Sequence, residues 1–239
     1  MTTMKKSLIE IQLELRESIS KDNLHLCIED INGNHSILKR EIHIIPKWYI
    51  QSERAKRGVA EPVDLGLSVL WANANIGASS EEQPGYFVGW GDVTAENTST
   101  NYNDYPSPNP PDCISGGEFD IARSIWAESW RIPTKEEFLE LMRHCQWTWS
   151  ERNGKPGFLI TSNNGNSIFL PAGGNCIGEN DICGDNECGC YWSGNLSLED
   201  THCAESLEFH QTCGDIIPRA RYMGMLIRPV LTIEEGDDK

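Results

Sequence analysis

The stretch Trp130-Arg131-Ile132-Pro133-Thr134-Lys135-Glu136-Glu137-Phe138-Leu139-Glu140-Leu141-Met142-Arg143-His144-Cys145 sets the fold class. Thr134 as N-cap with Glu137 three residues on forms a capping box, and Phe138, Leu141, Met142 and Cys145 supply the i, i+3, i+4, i+7 stripe of a helix packed on one side. A shorter helix is predicted over about 120–128, with Ala122, Ile125 and Trp126 together. Short strands are predicted around these two helices, over 157–161, 167–170, 191–193, 204–210 and 223–230. Helices set among such strands define an α+β domain. In Ser206-Leu207-Glu208-Phe209-His210 the period of two sends Leu207 and Phe209 to the core and Ser206, Glu208 and His210 to solvent. The segments 77–85, 97–117, 178–190 and 211–221 are polar and rich in loop formers, and loops of such length are usually functional or insertional.

The chain has 239 residues with 8 Trp, 21 Gly and 12 Pro, enough length and aromatic content for a real core held between loops. Mean hydropathy is −0.45, and no apolar run approaches the roughly 20 residues that a membrane-spanning helix needs. The net charge of −16 argues against nucleic acid as a partner, since phosphate binding needs clustered Lys and Arg. Charge is unevenly spread: residues 1–58 carry 10 Lys and Arg against 8 Asp and Glu, and residues 59–239 carry 10 against 28. This shift sets a boundary near Gly58. Three regions result: a small module over 1–58, a larger domain over 59–232 and an acidic tail over 233–239.

Within the N-terminal module, residues 9–15 alternate in strand fashion. Leu24, Leu26 and Ile28 do the same, and Asn32-Gly33 then offers a turn before Ile42 and Ile44 resume the pattern. A β-rich module with an exposed strand edge is suited to homo-oligomerisation or attachment. Residues 47–58 read as a short helix or linker. Lys5 and Lys6 are followed by Glu10, Glu14 and Glu17 where a secretory signal needs an apolar run. The compartment stays open between cytoplasm and cell surface.

In the larger domain, Val63-Asp64-Leu65-Gly66-Leu67-Ser68-Val69-Leu70-Trp71-Ala72, Gly89-Trp90-Gly91, Trp130-Arg131-Ile132-Pro133-Thr134, Asn164-Gly165-Asn166-Ser167-Ile168-Phe169-Leu170-Pro171-Ala172, Tyr191-Trp192-Ser193 and Arg228-Pro229-Val230 follow in order. This succession, over about residues 61–232, resembles the Fibrobacter succinogenes major paralogous domain, a family abundant in gut Bacteroidetes. The resemblance implies a C-type-lectin-like fold, similar to that of formylglycine-generating enzymes and of variable proteins diversified by retroelements. In those variable proteins a C-terminal stretch displays changeable side chains that bind a ligand. The matching stretch is about residues 190–221. The implied function is non-catalytic recognition of a protein or glycan. Kinship with formylglycine-generating enzymes implies a rival, a copper-dependent oxidoreductase using Cys203 and Cys213. A second rival is a structural component of a surface or phage-like assembly.

Trp71, Trp90, Trp126, Trp130 and Trp192 are expected to brace the core, which leaves contacts to loops and the wet strand face. The expected ligand-binding set is Cys190, Asn195, Ser197, His202, Glu205, Ser206, Glu208, His210, Thr212, Asp215, Arg219, Arg221 and Tyr222, with Arg228 as an anchor. Its mixed donors and acceptors suit a macromolecular surface better than a buried cofactor, and no cofactor is expected. Cys176, Cys183, Cys188 and Cys190 lack the C-x2-C knuckles of strong zinc spacing, and the acidic residues between them miss the helix-loop-helix calcium pattern. No metal site is therefore expected. Disulfides among these four cysteines, or between Cys203 and Cys213, are expected in an oxidising compartment and free thiols otherwise. No catalytic motif with a nucleophile and base stands out.

Overall fold

The computed structural model describes residues 27–29, 35–37, 60–95, 109–126, 129–178 and 181–233. The chain divides into two units, Met1–Pro46 and Lys47–Lys239. In the first, β1 (Cys27–Glu29) and β2 (His35–Ile37) pair antiparallel, with Cys27 across from Ile37 and Glu29 across from His35. The strand that pairs with β1 begins at His35, close behind Asn32-Gly33 in the sequence. The expected strands at 9–15 and 42–44, the linker at 47–58 with its boundary near Gly58, and residues 234–239 lie outside the described residues.

The second unit is α+β, built from small antiparallel sheets and two helices. One sheet joins β3 (Pro62–Val63), β4 (Val69–Ala72), β14 (Val230–Thr232) and β5 (Trp130–Arg131) in that spatial order. The C-terminal strand thus returns between the first strands of the unit and the middle of its chain. A second sheet is the meander β6 (Gln146–Arg152), β7 (Lys155–Thr161) and β8 (Ser167–Pro171). A third is the meander β11 (Cys188–Leu196), β12 (Cys203–His210) and β13 (Cys213–Ala220), and β9 (Asn175–Ile177) pairs with β10 (Asp181–Cys183).

Helix α1 (Ile121–Ile125) is capped by Asp120, and α2 (Lys135–His144) starts at Thr134 with both arms of the capping box formed. Phe138 and Leu141 of α2 are buried, while Met142 and Cys145 pack at the edge of the same cluster. The five expected tryptophans are all buried. Trp90 and Trp192 each donate an indole N–H to a main-chain carbonyl, that of Ser193 and that of Val88, both at 2.8 Å. Arg228 is fully buried and donates to Asn75 Oδ1 at 2.7 Å, Ala72 O at 3.0 Å and Phe169 O at 2.8 Å. It ties strand β4, strand β8 and the approach to β14 together. Burial lowers its pKa to about 10.

Three strands differ from expectation. β6 forms where no strand is expected: Trp147 and Trp149 alternate with the exposed Thr148, and no side chain of the strand is fully buried. β13 occupies most of a segment expected to be irregular: Gly214, Asp215 and Pro218 are exposed, so the ladder to β12 rather than an apolar period holds it. Of the strand expected over 223–230, residues 224–226 form isolated bridges, Met225 with Val88, Gly224 with Cys176 and Leu226 with Tyr191, and a strand begins only at Val230–Thr232. The buried run Met225, Leu226 and Ile227 feeds two cores at once and exchanges partners residue by residue.

Those two cores overturn the expected wet face of β12. Cys190, Trp192 and Ala204 enter one hydrophobic cluster, while Tyr191, Leu207 and Phe209 enter the other. The middle of the β11–β12 pair is therefore covered on both faces, as the central strands of a layered domain must be. Ser206 is sealed inside and donates its hydroxyl to Ile217 O at 2.7 Å, and Glu208 is 9 % exposed.

Candidate recognition site

The β12–β13 ribbon ends in a turn at Gln211 and Thr212, with His210 directly across from Cys213. Beside this turn lies a groove of about 420 Å³ lined by Met142, Cys145, Trp147 and Phe158 on one side and by Gln211, Thr212, Cys213 and Gly214 on the other. Helix α2 brings Met142 and Cys145 to its C-terminal end because they continue its apolar stripe beyond the fully buried Phe138 and Leu141. Strand β6 starts directly after Cys145 and places Trp147 against that end, where its indole N–H donates to Leu141 O at 3.3 Å.

Aromatic packing makes this wall stiff. Trp147 meets Phe158 edge to face at 5.3 Å between centroids, Phe158 meets Phe209 at 5.2 Å, and Phe209 stacks on Tyr191 at 5.8 Å. The row links the half-exposed groove wall to a fully buried Tyr191, whose hydroxyl donates to Pro171 O at 2.8 Å. Gly189 lies across from Phe209, and a Cβ there would stand 2.1 Å from the phenyl ring. Only glycine lets that ring lie over β11.

The ribbon's fittings sort the expected contact residues. His202, His210, Thr212 and Asp215 are exposed, and Arg219 and Tyr222 are half-buried. Arg219 clamps Glu208 through both carboxylate oxygens, Nε to Oε1 at 2.5 Å and Nη2 to Oε2 at 2.7 Å. Asn195 accepts the Lys135 N–H at 2.7 Å, so it holds the first turn of α2, and Glu205 lies 3.3 Å from Lys135 Nζ. Cys190, Ser197 and Arg221 are buried, each at 3 % exposure, and are corrected from contact to framework residues. Cys190 sits in the Trp192 cluster, Ser197 N–H donates to Cys203 O, and the Arg221 guanidinium lies 5.7 Å from the Trp90 ring centre. Ser206 and Glu208 join them for the reasons given above. The groove wall of Trp147, Phe158, Met142 and Cys145 was not among the expected contacts; the Trp-Thr-Trp alternation of residues 147–149 was the signal that pointed to it.

The eight described cysteines from Cys113 onward are free thiols. Cys203 pairs with Ala220 and Cys213 with His210, at opposite ends of the β12–β13 ribbon. At about 3.3 Å per residue these two are roughly 20 Å apart or more, which removes both the expected disulfide and the copper pair. Cys188 and Cys190 by contrast bring their Sγ atoms to 3.8 Å. The contact with Cys190 lowers the Cys188 thiol, and the same contact with burial pushes the Cys190 thiol up.

No helix among the described residues is long and apolar enough to cross a membrane. Comparison with known proteins finds no matching family model, no matching curated protein and no matching solved structure.

Proposed function

We propose that this chain is a non-catalytic recognition protein, in which a C-type-lectin-like frame similar to the Fibrobacter succinogenes major paralogous domain presents its C-terminal ribbon to a protein or glycan ligand. The observation that carries the reading is the groove between the half-buried Trp147 wall and the exposed Gln211–Thr212 turn. Its volume of about 420 Å³ falls within the range of ligand clefts, ~300–1,000 Å³. The lining mixes an apolar side, Met142, Cys145, Trp147 and Phe158, with a more polar one, Gln211 to Gly214, and this suits a protein ligand that inserts one anchor side chain with both apolar and hydrogen-bonding contacts. The turn belongs to the part of the chain in which the resemblance implies changeable side chains. The packed aromatic row lets such changes occur without disturbing the frame.

Protein and glycan arrays probed with the full chain, with Trp147→Ala and with Thr212→Arg test this. A ligand captured by the full chain and lost at least tenfold by both variants, with unfolding midpoints retained for Thr212→Arg, supports the groove. Capture unaffected by either variant refutes it. Capture from the glycan array alone replaces the protein ligand with a sugar.

A further inference from the structure

The register of β11 on β12 gathers a second set of chemistry-bearing side chains, on the face of the ribbon away from Phe209. Cys188 lies directly across from His210, and Cys190 directly across from Glu208. Residues two apart on a strand share a face, and so do residues directly opposite across a ladder, so these four project to one side.

The two sulfurs are 3.8 Å apart. Two thiolates bound to one tetrahedral metal, each at ~2.3 Å, are separated by roughly 3.8 Å, so the pair already has the bite of a chelate. A disulfide would require the sulfurs to close to ~2.05 Å. His210 is exposed, and facing Cβ atoms on paired strands lie ~4.5–5.5 Å apart, so rotation of its side chain brings an imidazole nitrogen towards the sulfurs. Among the described residues no three such side chains converge as they stand; the two-sulfur bite comes first and the imidazole joins on binding.

Binding is coupled to the loss of both thiol protons. Glu208 is engaged by Arg219 through both oxygens, so it serves as a neighbour rather than a ligand. With both thiols ionised, Cys188, Cys190, Glu208 and Arg219 together carry two negative charges, which a divalent ion neutralises. Cys188 is half-buried and gives the approach, while Cys190 lies behind it at 3 % exposure against the Trp192 cluster. Cys213 faces His210 from β13, two ladder spacings or roughly 9–10 Å from Cys188, too far to share the same ion.

We propose that Cys188 and Cys190, joined by His210 from the facing strand, bind a thiophilic divalent cation of the zinc class. The site clips the end of β11 to the end of β12, and it does not depend on the recognition groove.

The test uses the reduced full chain titrated with Cd²⁺ and, separately, Co²⁺. The expected result is one ion per chain with a sulfur-to-metal charge-transfer band. Cys188→Ser and Cys190→Ser each abolish the band, His210→Ala weakens binding at least about tenfold, and Cys213→Ser leaves it unchanged. Alkylation mapped by mass spectrometry on the unmutated chain gives a readout independent of variant folding: the ion should shield Cys188 and Cys190 and spare the reactivity of Cys213. Persistence of the band in Cys188→Ser, or unchanged alkylation of Cys188 and Cys190 at saturating Cd²⁺, overturns the proposal. Wild-type affinity in His210→Ala overturns the part given to His210.

Discussion

Replacing Arg228 with Met isolates the contribution of one buried side chain to the whole second unit. Its guanidinium satisfies three acceptors, Asn75 Oδ1, Ala72 O and Phe169 O, and is fully buried. Methionine fills much of the same volume but donates nothing. Each buried acceptor left without a partner costs about 1–3 kcal/mol, so the gross loss is roughly 3–9 kcal/mol. Removing a charge that burial disfavours returns part of this, and deletion of one member of a buried polar cluster costs about 3–5 kcal/mol in comparable cases. A net destabilisation of about 4 kcal/mol is expected. Urea unfolding followed by tryptophan fluorescence measures it directly, because the buried tryptophans report the loss of core packing. With a urea slope of about 2 kcal/mol per M, the midpoint should fall by about 2 M. Arg228→Lys should recover only part of the loss, since an ammonium on a shorter reach cannot match three separated acceptors.

The pH dependence adds a second check. Because the folded-state pKa is depressed to about 10, the unfolded state binds more protons only above that value, and stability gained from this group rises with pH there. Below about pH 9 both states hold the proton and the difference between wild type and variant should be flat. A loss below 1 kcal/mol, or one that changes steeply between pH 5 and pH 9, would falsify this account of Arg228.

Thr134→Ala should cost about 1 kcal/mol by removing the cap of α2, measured as a shift in unfolding midpoint, and Thr134→Ser should restore most of it. Asp120 accepts N–H groups from Gly116, Ala122, Arg123 and Ile132; Asp120→Asn turns an amide N–H towards two of those donors and should destabilise by about 2–3 kcal/mol in the same assay. Burial raises the Asp120 carboxyl, so its contribution is greatest below the ordinary carboxylate range and declines as pH rises through the folded value, a trend that Asp120→Asn should erase. Gly189→Ala pushes a methyl into the Phe209 ring and should cost about 1–3 kcal/mol while changing the near-ultraviolet circular dichroism of the aromatic row.

Local chemistry made much of the second unit legible in the sequence. The α2 capping box, the tryptophan core and the alternation of Leu207 and Phe209 each depend on neighbours within a few residues, and a single chain displays them directly. The mixed α+β class followed from those elements. Tertiary structure alone decided which polar residues face outward. Ser206 and Glu208 have the spacing of a solvent face, yet a second core built from Trp90, Trp192 and their neighbours covers them, and nothing local to β12 announces a layer whose residues reach back in the chain to Trp90 and beyond. The groove and the Cys188–Cys190–His210 grouping arise in the same way. Ladder register and sheet packing bring together side chains distant in sequence, because the free energy that selects those neighbours is gained only when the layers close.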